Sequence, residues 1–181
     1  GVDATHHVAD GYHADVLLRW GDPVLPGAPA FDPAAQSPED QARQFGYNND
    51  FIGFIPLEGH SGHGLLVVNH EYTNDELMHP GLTGATRPER VQSQTERQAL
   101  TSMAAHGGSI VEVKRAGERW QVVAGSRYAR RITASTSMQI SGPAAGHALL
   151  RTTADPSGTR VLGMLNNCAG GVTPWGTWLT C

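Results

Sequence analysis

The stretch from Asn166 to Cys181 reads NNCAGGVTPWGTWLTC. Two carboxamides precede a cysteine, the Gly170–Gly171 pair permits close backbone approach, and Pro174–Trp175–Gly176 interrupts a regular hydrogen-bonding ladder. A generic strand or helix is not built from such residues. The pattern therefore predicts an open loop around a ligand, in a segment that builds a site.

Apolar segments upstream of this stretch predict β-strands. They are rich in β-branched and aromatic residues and are bounded by turn formers; they are Gly11–Trp20, Phe45–Leu57, Gly64–Tyr72, Ser109–Val113, Arg119–Val123 and Thr159–Leu165. The linker Glu58–His63 is short enough for a hairpin, so the strands that flank it should pair. Repeated hairpins favour an all-β propeller, sandwich or barrel, and periodicity does not choose among these folds.

One helix is predicted, over Arg87–His106. Pro88 suits a first helical turn, and Gly107–Gly108 ends the pattern. The residues expected to form a partial apolar stripe are Val91, Leu100, Met103 and Ala104. We expect this helix to be a short insertion that packs on the sheet.

Composition argues against two classes of function. The 181 residues carry a net charge of −4, and Lys114 is the only lysine, so no nucleic-acid-binding surface is expected. No apolar run approaches the roughly 20 residues that cross a bilayer. The chain starts at Gly1 rather than at methionine, which is consistent with a removed leader.

Cys168 and Cys181 are the only cysteines, and two interpretations of them are open. In a secreted protein they could form a disulfide that closes a short loop. Alternatively, Cys168 is a thiolate ligand, because a metal ion deprotonates a coordinating thiol and stabilises it among oxygen ligands. The glycines and the proline between the cysteines favour an open loop, so we predict that the two are not bonded.

Two polar triplets, Asn48–Asn49–Asp50 and Asn69–His70–Glu71, accompany apolar strands. Such residues often form turns, but their carboxylate and carboxamide oxygens are also the ligands that calcium prefers. Side chains alternate along a strand, so Asn48 and Asp50 should share one face and Asn49 the other, and Asn69 should share a face with Glu71. We predict Asp50 and Glu71 as charged metal ligands; the neutral oxygen donors or orienting residues would be Asn49, Asn69 and Asn167.

The histidines give little support for a zinc site. His60 and His63 fall in a predicted turn, and His6–His7 lie in the N-terminal segment, where a solvated role is expected. His70 differs because it lies between two suspected ligands, and a hydrogen bond to a carboxylate or a substrate oxygen is plausible there.

Two further features bear on substrate binding. Arg130–Arg131 could hold phosphate, but paired arginines after a strand more often anchor a loop to carboxylates, so neither is assigned a catalytic role. Trp175 either walls a substrate pocket or simply packs.

The chain resembles the PhoX-type alkaline phosphatases along its whole length. The similar segments occur in the family's order and are GYHADVLLRWGDP, FGYNNDF, LLVVNHEYT, HGGSIVEV, SGPAAGHALL, DPSGTR and the stretch ending at Cys181. The resemblance implies an all-β fold that is part of a six-bladed β-propeller. This chain would form about two of the blades, with a short helical insertion. Residues 1–181 would be its N-terminal part, with an acidic pair expected after Cys181.

The resemblance also implies metal-dependent hydrolysis of phosphate monoesters, with the phosphoryl group held by ferric iron and calcium. Cys168 resembles the family's iron ligand, and with Glu71 it is expected to be catalytic. Trp175 and His70 would contact substrate. Family members are typically exported through the twin-arginine route, so a periplasmic or secreted location is expected. The segment by itself is expected to be inactive without the rest of its propeller.

Two alternatives come from other classes of protein. A calcium-dependent propeller lactonase would use similar oxygen ligands but has no use for a thiolate, and a non-catalytic propeller module would bind no metal. The phosphatase interpretation predicts that Cys168 shares a pocket with Glu71 or Asp50, within about 8–10 Å.

Overall fold

The structure is a computed structural model that describes residues 3–82, 84 and 86–181. The helices are α1 (Pro38–Gln41), α2 (Asp75–Met78), α3 (Arg87–Ser93) and α4 (Glu96–Ala105), with a 3-10 turn at Ala148–Leu150. The strands are β1 (Asn49–Pro56), β2 (His63–His70), β3 (Gly107–Ala116), β4 (Arg119–Val122), β5 (Arg130–Ile132), β6 (Ser137–Gln139), β7 (Arg160–Leu162), β8 (Gly170–Val172) and β9 (Trp178–Thr180). The fold is mostly β and antiparallel, as predicted.

The central sheet has the order β1-β2-β3-β4, and β5 also pairs with β3. The predicted hairpin between the first two strands is confirmed, with Pro56 opposite Gly64 and Asn49 opposite His70. The register shifts between Asn49 and Ile52. Because β1 begins where β2 ends, the pairing brings the two polar triplets to one edge of the sheet.

The core lies against this sheet. It contains Val24, Phe45, Val68, Val111, Val113 and Ala129. Leu17 and Leu18 also pack against it, although the strand predicted at Gly11–Trp20 is wrong. These two leucines contribute side chains to the core without joining a ladder, because burial of apolar side chains does not itself require strand pairing.

The helix predicted over Arg87–His106 is two helices, α3 and α4. Thr95 interrupts it by starting a capping box, in which its hydroxyl accepts from the Gln98 N–H at 3.2 Å and its own N–H donates to the Gln98 side chain at 2.9 Å. The buried face of α4 consists of Thr101, Ser102, Ala104 and Ala105. The predicted stripe is therefore wrong except for Ala104, because small residues bring α4 against α1.

Two small hairpins lie outside the central sheet, β6 with β7 and β8 with β9. The second corrects the open loop predicted between Asn166 and Cys181, because Gly170–Val172 pairs with Trp178–Thr180. Its turn is closed by the Thr173 N–H, which donates to the Thr177 carbonyl at 2.9 Å. Gly176 has φ +82° there, a conformation that glycine adopts at little cost.

The division into propeller blades remains a prediction. Among the described residues, no helix has both the length and the apolar character that a bilayer span requires.

Candidate metal centre

Three side chains from distant parts of the chain converge at the edge of the central sheet. One carboxylate oxygen each of Asp50 and Glu71 and the sulfur of Cys168 lie within 4.8 Å of one another. Asp50 and Cys168 are exposed and Glu71 is half-buried, so the group is open to solvent. The predicted convergence is present in the structure. We call these three residues the acidic–thiol cluster.

The first two members owe their positions to strand pairing. The Glu71 N–H donates to the Asn48 carbonyl at 3.1 Å, which extends the β1–β2 ladder by one step. Alternation then places Asp50, Asn69 and Glu71 on one face of the two strands. The predicted distribution of the triplets over the two faces agrees with this register.

Asn69 holds the third member in place. Its buried side-chain amide donates to the carbonyl oxygens of Cys168 and Ala169, each at 3.0 Å. Its Oδ1 accepts from the Thr180 hydroxyl at 2.9 Å. Asn69 was predicted to be an oxygen donor to metal or an orienting residue, and its polar atoms here fasten the β8–β9 hairpin to β2, as suits the orienting role. It positions Cys168.

Asp50 disfavours negative charge on the other two members of the cluster. The pKa of Glu71 is raised by burial, then by its hydrogen bond to Asp50 and by the Asp50 charge. The pKa of Cys168 is raised by the hydrogen bond that its thiol makes to Asp50, then by the charge of Asp50 and by burial. A cation bound among these groups would reverse this repulsion and favour the deprotonated forms. Two carboxylates with one thiol therefore fit a metal ion, and the sulfur fits a transition metal such as iron.

The opposite face of the same strand ends carries Asn49 and His70. His70 is fully buried, and its Nε2 accepts from the Gly46 N–H at 3.3 Å and from the Ser109 hydroxyl at 2.7 Å. A backbone N–H can only donate, so the proton of the neutral ring lies on Nδ1, which donates to the Asn49 Oδ1 at 3.0 Å.

This arrangement corrects two predictions. Burial, followed by the charges of Arg131 and His106, holds the pKa of His70 well below its usual value, so the ring is neutral. Buried and fully engaged, His70 does not reach a substrate. Asn49 directs its oxygen to His70 on the face opposite Asp50, so it does not join the acidic–thiol cluster as a ligand.

Asn167 retains an oxygen for another partner. Its side chain is buried, and its Nδ2 donates to the Gly107 carbonyl at 2.8 Å. Its Oδ1 has no hydrogen-bond partner among the described residues. A buried acceptor left in this way is compatible with the predicted role of Asn167 as an oxygen donor beside Cys168.

Trp175 does not wall the cluster. Along β1, Gly170 lies against Phe51, Val172 against Gly53, and Gly176 near Ile55. The β8–β9 hairpin therefore extends along β1 in the direction away from Asp50. At about 3.3 Å per residue, its tip near Ile55 lies about 15 Å from Asp50. Trp175 is 79% exposed at this tip and does not line the cluster, and its contact with substrate stays a prediction.

Sequence reasoning predicted only part of the role of Arg131. Its guanidinium is buried, which lowers its pKa to about 9, and it donates to the carbonyls of Ala104, His106 and Gly108 at 2.7, 3.2 and 2.7 Å. The predicted anchoring role is thus correct, but the partners are main-chain carbonyls rather than carboxylates.

A cleft that the sequence did not reveal lies beside the cluster. Its volume is about 280 Å³, and it is lined by residues 72–76, by Arg87 and Arg90 of α3, and by Asn166. Its walls come from three separate segments, which explains why no local pattern predicted it.

Both cysteines are free and exposed, so the structure contains no bond between Cys168 and Cys181. The main chain nevertheless joins their segments, because the Cys168 N–H donates to the Cys181 carbonyl at 3.0 Å.

Comparisons with known proteins place these observations in one family. The family model described as alkaline phosphatase PhoX matches residues 1–181. A solved structure, Pseudomonas fluorescens PhoX in complex with vanadate, a transition state analogue, is 42% identical with a TM-score of 0.84. The match covers 95% of this chain and 28% of that chain. No curated protein matches.

Proposed function

The chain belongs to the PhoX alkaline phosphatase family, and on this premise we propose that it serves metal-dependent hydrolysis of phosphate monoesters. The chain covers 28% of the related solved chain, so the activity is proposed for the whole protein. These residues by themselves are expected to be inactive.

The acidic–thiol cluster is the observation that supports this proposal. Its ligand atoms lie within 4.8 Å of one another, at a separation that one ion or a compact group of ions can bridge. Cys168 would hold iron, and Asp50 and Glu71 would share iron and calcium. Bound metal ions would supply positive charge to the phosphoryl oxygens, which is the main requirement of phosphoryl transfer.

The chain's own residues prepare the site for this charge. Asp50 and Glu71 provide two carboxylates on one strand face, and Asn69 fixes the cysteine segment above them. Asn167 supplies a buried oxygen with no other partner among the described residues. Glu71 remains our candidate for a catalytic carboxylate because it is the half-buried member of the cluster.

The export route, the periplasmic or secreted location and the small phosphate-ester substrates belong to the same proposal and rest on family membership. A thiol beside two carboxylates argues against the calcium-dependent lactonase alternative, which needs oxygen ligands only. It argues equally against a binding module that holds no metal.

The experiment compares Cys168→Ser with Cys181→Ser in the whole protein for which the activity is proposed. Both change an exposed cysteine in the same hairpin segment, and only the first lies in the cluster. We expect Cys168→Ser to lose iron by elemental analysis together with phosphomonoesterase activity, while Cys181→Ser keeps both. Iron and activity retained in Cys168→Ser would contradict the proposal.

A further inference from the structure

The cleft lined by residues 72–76, Arg87, Arg90 and Asn166 has two walls that are close in sequence to members of the acidic–thiol cluster. Tyr72 follows Glu71, and Asn166 stands two residues before Cys168. Since consecutive Cα atoms are about 3.8 Å apart, two walls of the cleft begin within about 8 Å of these two residues. A group released from a phosphorus atom at the cluster would meet this cleft.

The cleft is held in a fixed relation to the cluster. The Asn48 side chain donates to the Tyr72 carbonyl at 3.2 Å and to the Asn74 side chain at 3.4 Å. Asn48 lies two residues before Asp50, so the same short segment carries a cluster ligand and ties down one cleft wall.

Most charged groups of the cleft have partners within the protein. Glu76 lies 3.6 Å from the Arg90 guanidinium, which also donates to the Gly84 carbonyl at 3.2 Å. Asp75 accepts from the hydroxyls of Thr73 at 3.1 Å and Ser102 at 2.8 Å. Arg87 differs, because it is exposed and makes no hydrogen bond or ion pair to another described residue.

We propose that the cleft receives the leaving group of the phosphate ester and that Arg87 recognises an anionic group on it. This inference rests on the proposed phosphatase function and adds the substrate class: small phosphate esters whose leaving group carries a carboxylate or a second phosphate. The planar guanidinium binds either group through paired hydrogen bonds. A volume of about 280 Å³ suits a leaving group of a few carbon atoms.

The test measures hydrolysis of two esters by the whole, metal-loaded protein. The esters are 3-phosphoglycerate and glycerol 1-phosphate, which differ by one negative charge. We expect Arg87→Gln to lower the ratio of kcat/KM values, 3-phosphoglycerate over glycerol 1-phosphate, about fivefold, as suits an exposed ion pair worth at most about 1 kcal/mol. Glu76→Gln should raise the same ratio, because it removes a negative charge from the cleft.

Arg97→Gln is the matched control, because Arg97 lies on α4 and pairs with Glu39 at 3.1 Å outside the cleft. Its ratio should equal that of the unmodified protein. Turnover of neither ester would overturn the phosphatase proposal and this inference with it. Turnover of both esters with a ratio unchanged in Arg87→Gln, or with both rates lowered equally, would overturn this inference alone.

Discussion

The two faces of the β1–β2 strand ends carry opposite kinds of polar chemistry. On the inner face, Asn49, His70 and Ser109 form a hydrogen-bonded chain, and Arg131 is buried beside it. On the outer face, Asp50, Glu71 and Cys168 lie close together; burial and the neighbouring Asp50 raise the pKa of Glu71, and Asp50 raises the pKa of Cys168. The two sets are only one residue apart along each strand.

The difference separates residues that serve the fold from residues that serve binding. Buried polar groups stabilise a fold when they find their partners inside it, as the inner face does. A group of like charges that the fold leaves unbalanced is typical of a site that an external ion completes. Changes on the inner face should therefore alter stability, and changes on the outer face should alter metal binding and activity.

The largest expected effect belongs to the outer face. Asp50→Asn in the full chain should lower phosphatase activity and metal affinity at least about 100-fold, because it removes the carboxylate that contacts both other ligand groups. Titration with calcium and iron, together with an assay of phosphate release, measures both quantities. Unchanged metal affinity would remove Asp50 from the site.

A large effect on stability is expected from Arg131→Met on the inner face. Loss of the guanidinium leaves the carbonyls of Ala104, His106 and Gly108 without their donor and should lower the free energy of unfolding by about 3–5 kcal/mol. Urea unfolding measures this change. Arg130→Met is the control, because the Arg130 side chain is exposed. Its free energy of unfolding should fall by less than about 1 kcal/mol.

A smaller effect is expected from pH. Burial lowers the pKa of His70, His79 and His106, so these imidazoles take up protons in the unfolded chain before they do so in the folded chain. The free energy of unfolding should therefore fall as pH drops below about 6.5, the ordinary histidine pKa.

The contribution of His70 to the change of unfolding free energy with pH is at most about 1.4 kcal/mol per pH unit. Urea unfolding at a series of pH values should show a shallower dependence in His70→Gln and an unaltered one in His13→Gln, whose side chain is exposed. Equal slopes in the two variants would mean that His70 is not the buried neutral base described above.

The smallest expected effect has the opposite sign. The raised pKa of Glu71 means that the folded, metal-free chain disfavours its charge, so stability is lost as pH rises through that pKa. At neutral pH, Glu71→Gln should raise the melting temperature of the metal-free protein while weakening metal binding. Glu118→Gln, at an exposed turn, should change neither. A lower melting temperature in Glu71→Gln would show that its carboxylate stabilises the fold.

The convergence of Cys168 with Asp50 and Glu71 was predicted from the resemblance to the PhoX phosphatases, because a propeller brings the polar ends of its inner strands to one central channel. Strand alternation separated Asn49 from Asp50, and Asn49 was expected to be either an oxygen donor or an orienting residue. The missing information was the partner of each polar atom. Asn69 and Asn49 have the chemistry of ligands, but contacts with Cys168 and His70, respectively, occupy their oxygens or amides.

Other features depend on packing that local patterns do not contain. Gly170–Val172 pairs with Trp178–Thr180, and Phe51 of β1 occupies the space that a side chain at Gly170 would need. A count of glycines and prolines did not suggest this contact. The apolar residues at Leu17 and Leu18 pack without pairing. The cleft beside the cluster requires α2, α3 and Asn166 to meet, and their separation in sequence leaves no periodic signal.

The hydrogen bonds from Asn69 to the carbonyls of Cys168 and Ala169 also bear on the stage of folding at which the site forms. The contact between Asn69 and Cys168 spans 99 residues of sequence. Closing a loop of that length costs about 4 kcal/mol of chain entropy, which must be recovered by contacts made elsewhere. Long-range contacts of this kind form slowly. We therefore expect the sheet that carries the two carboxylates to form before the cysteine segment joins it, so an ion that needs all three ligands should bind only after that late contact is made.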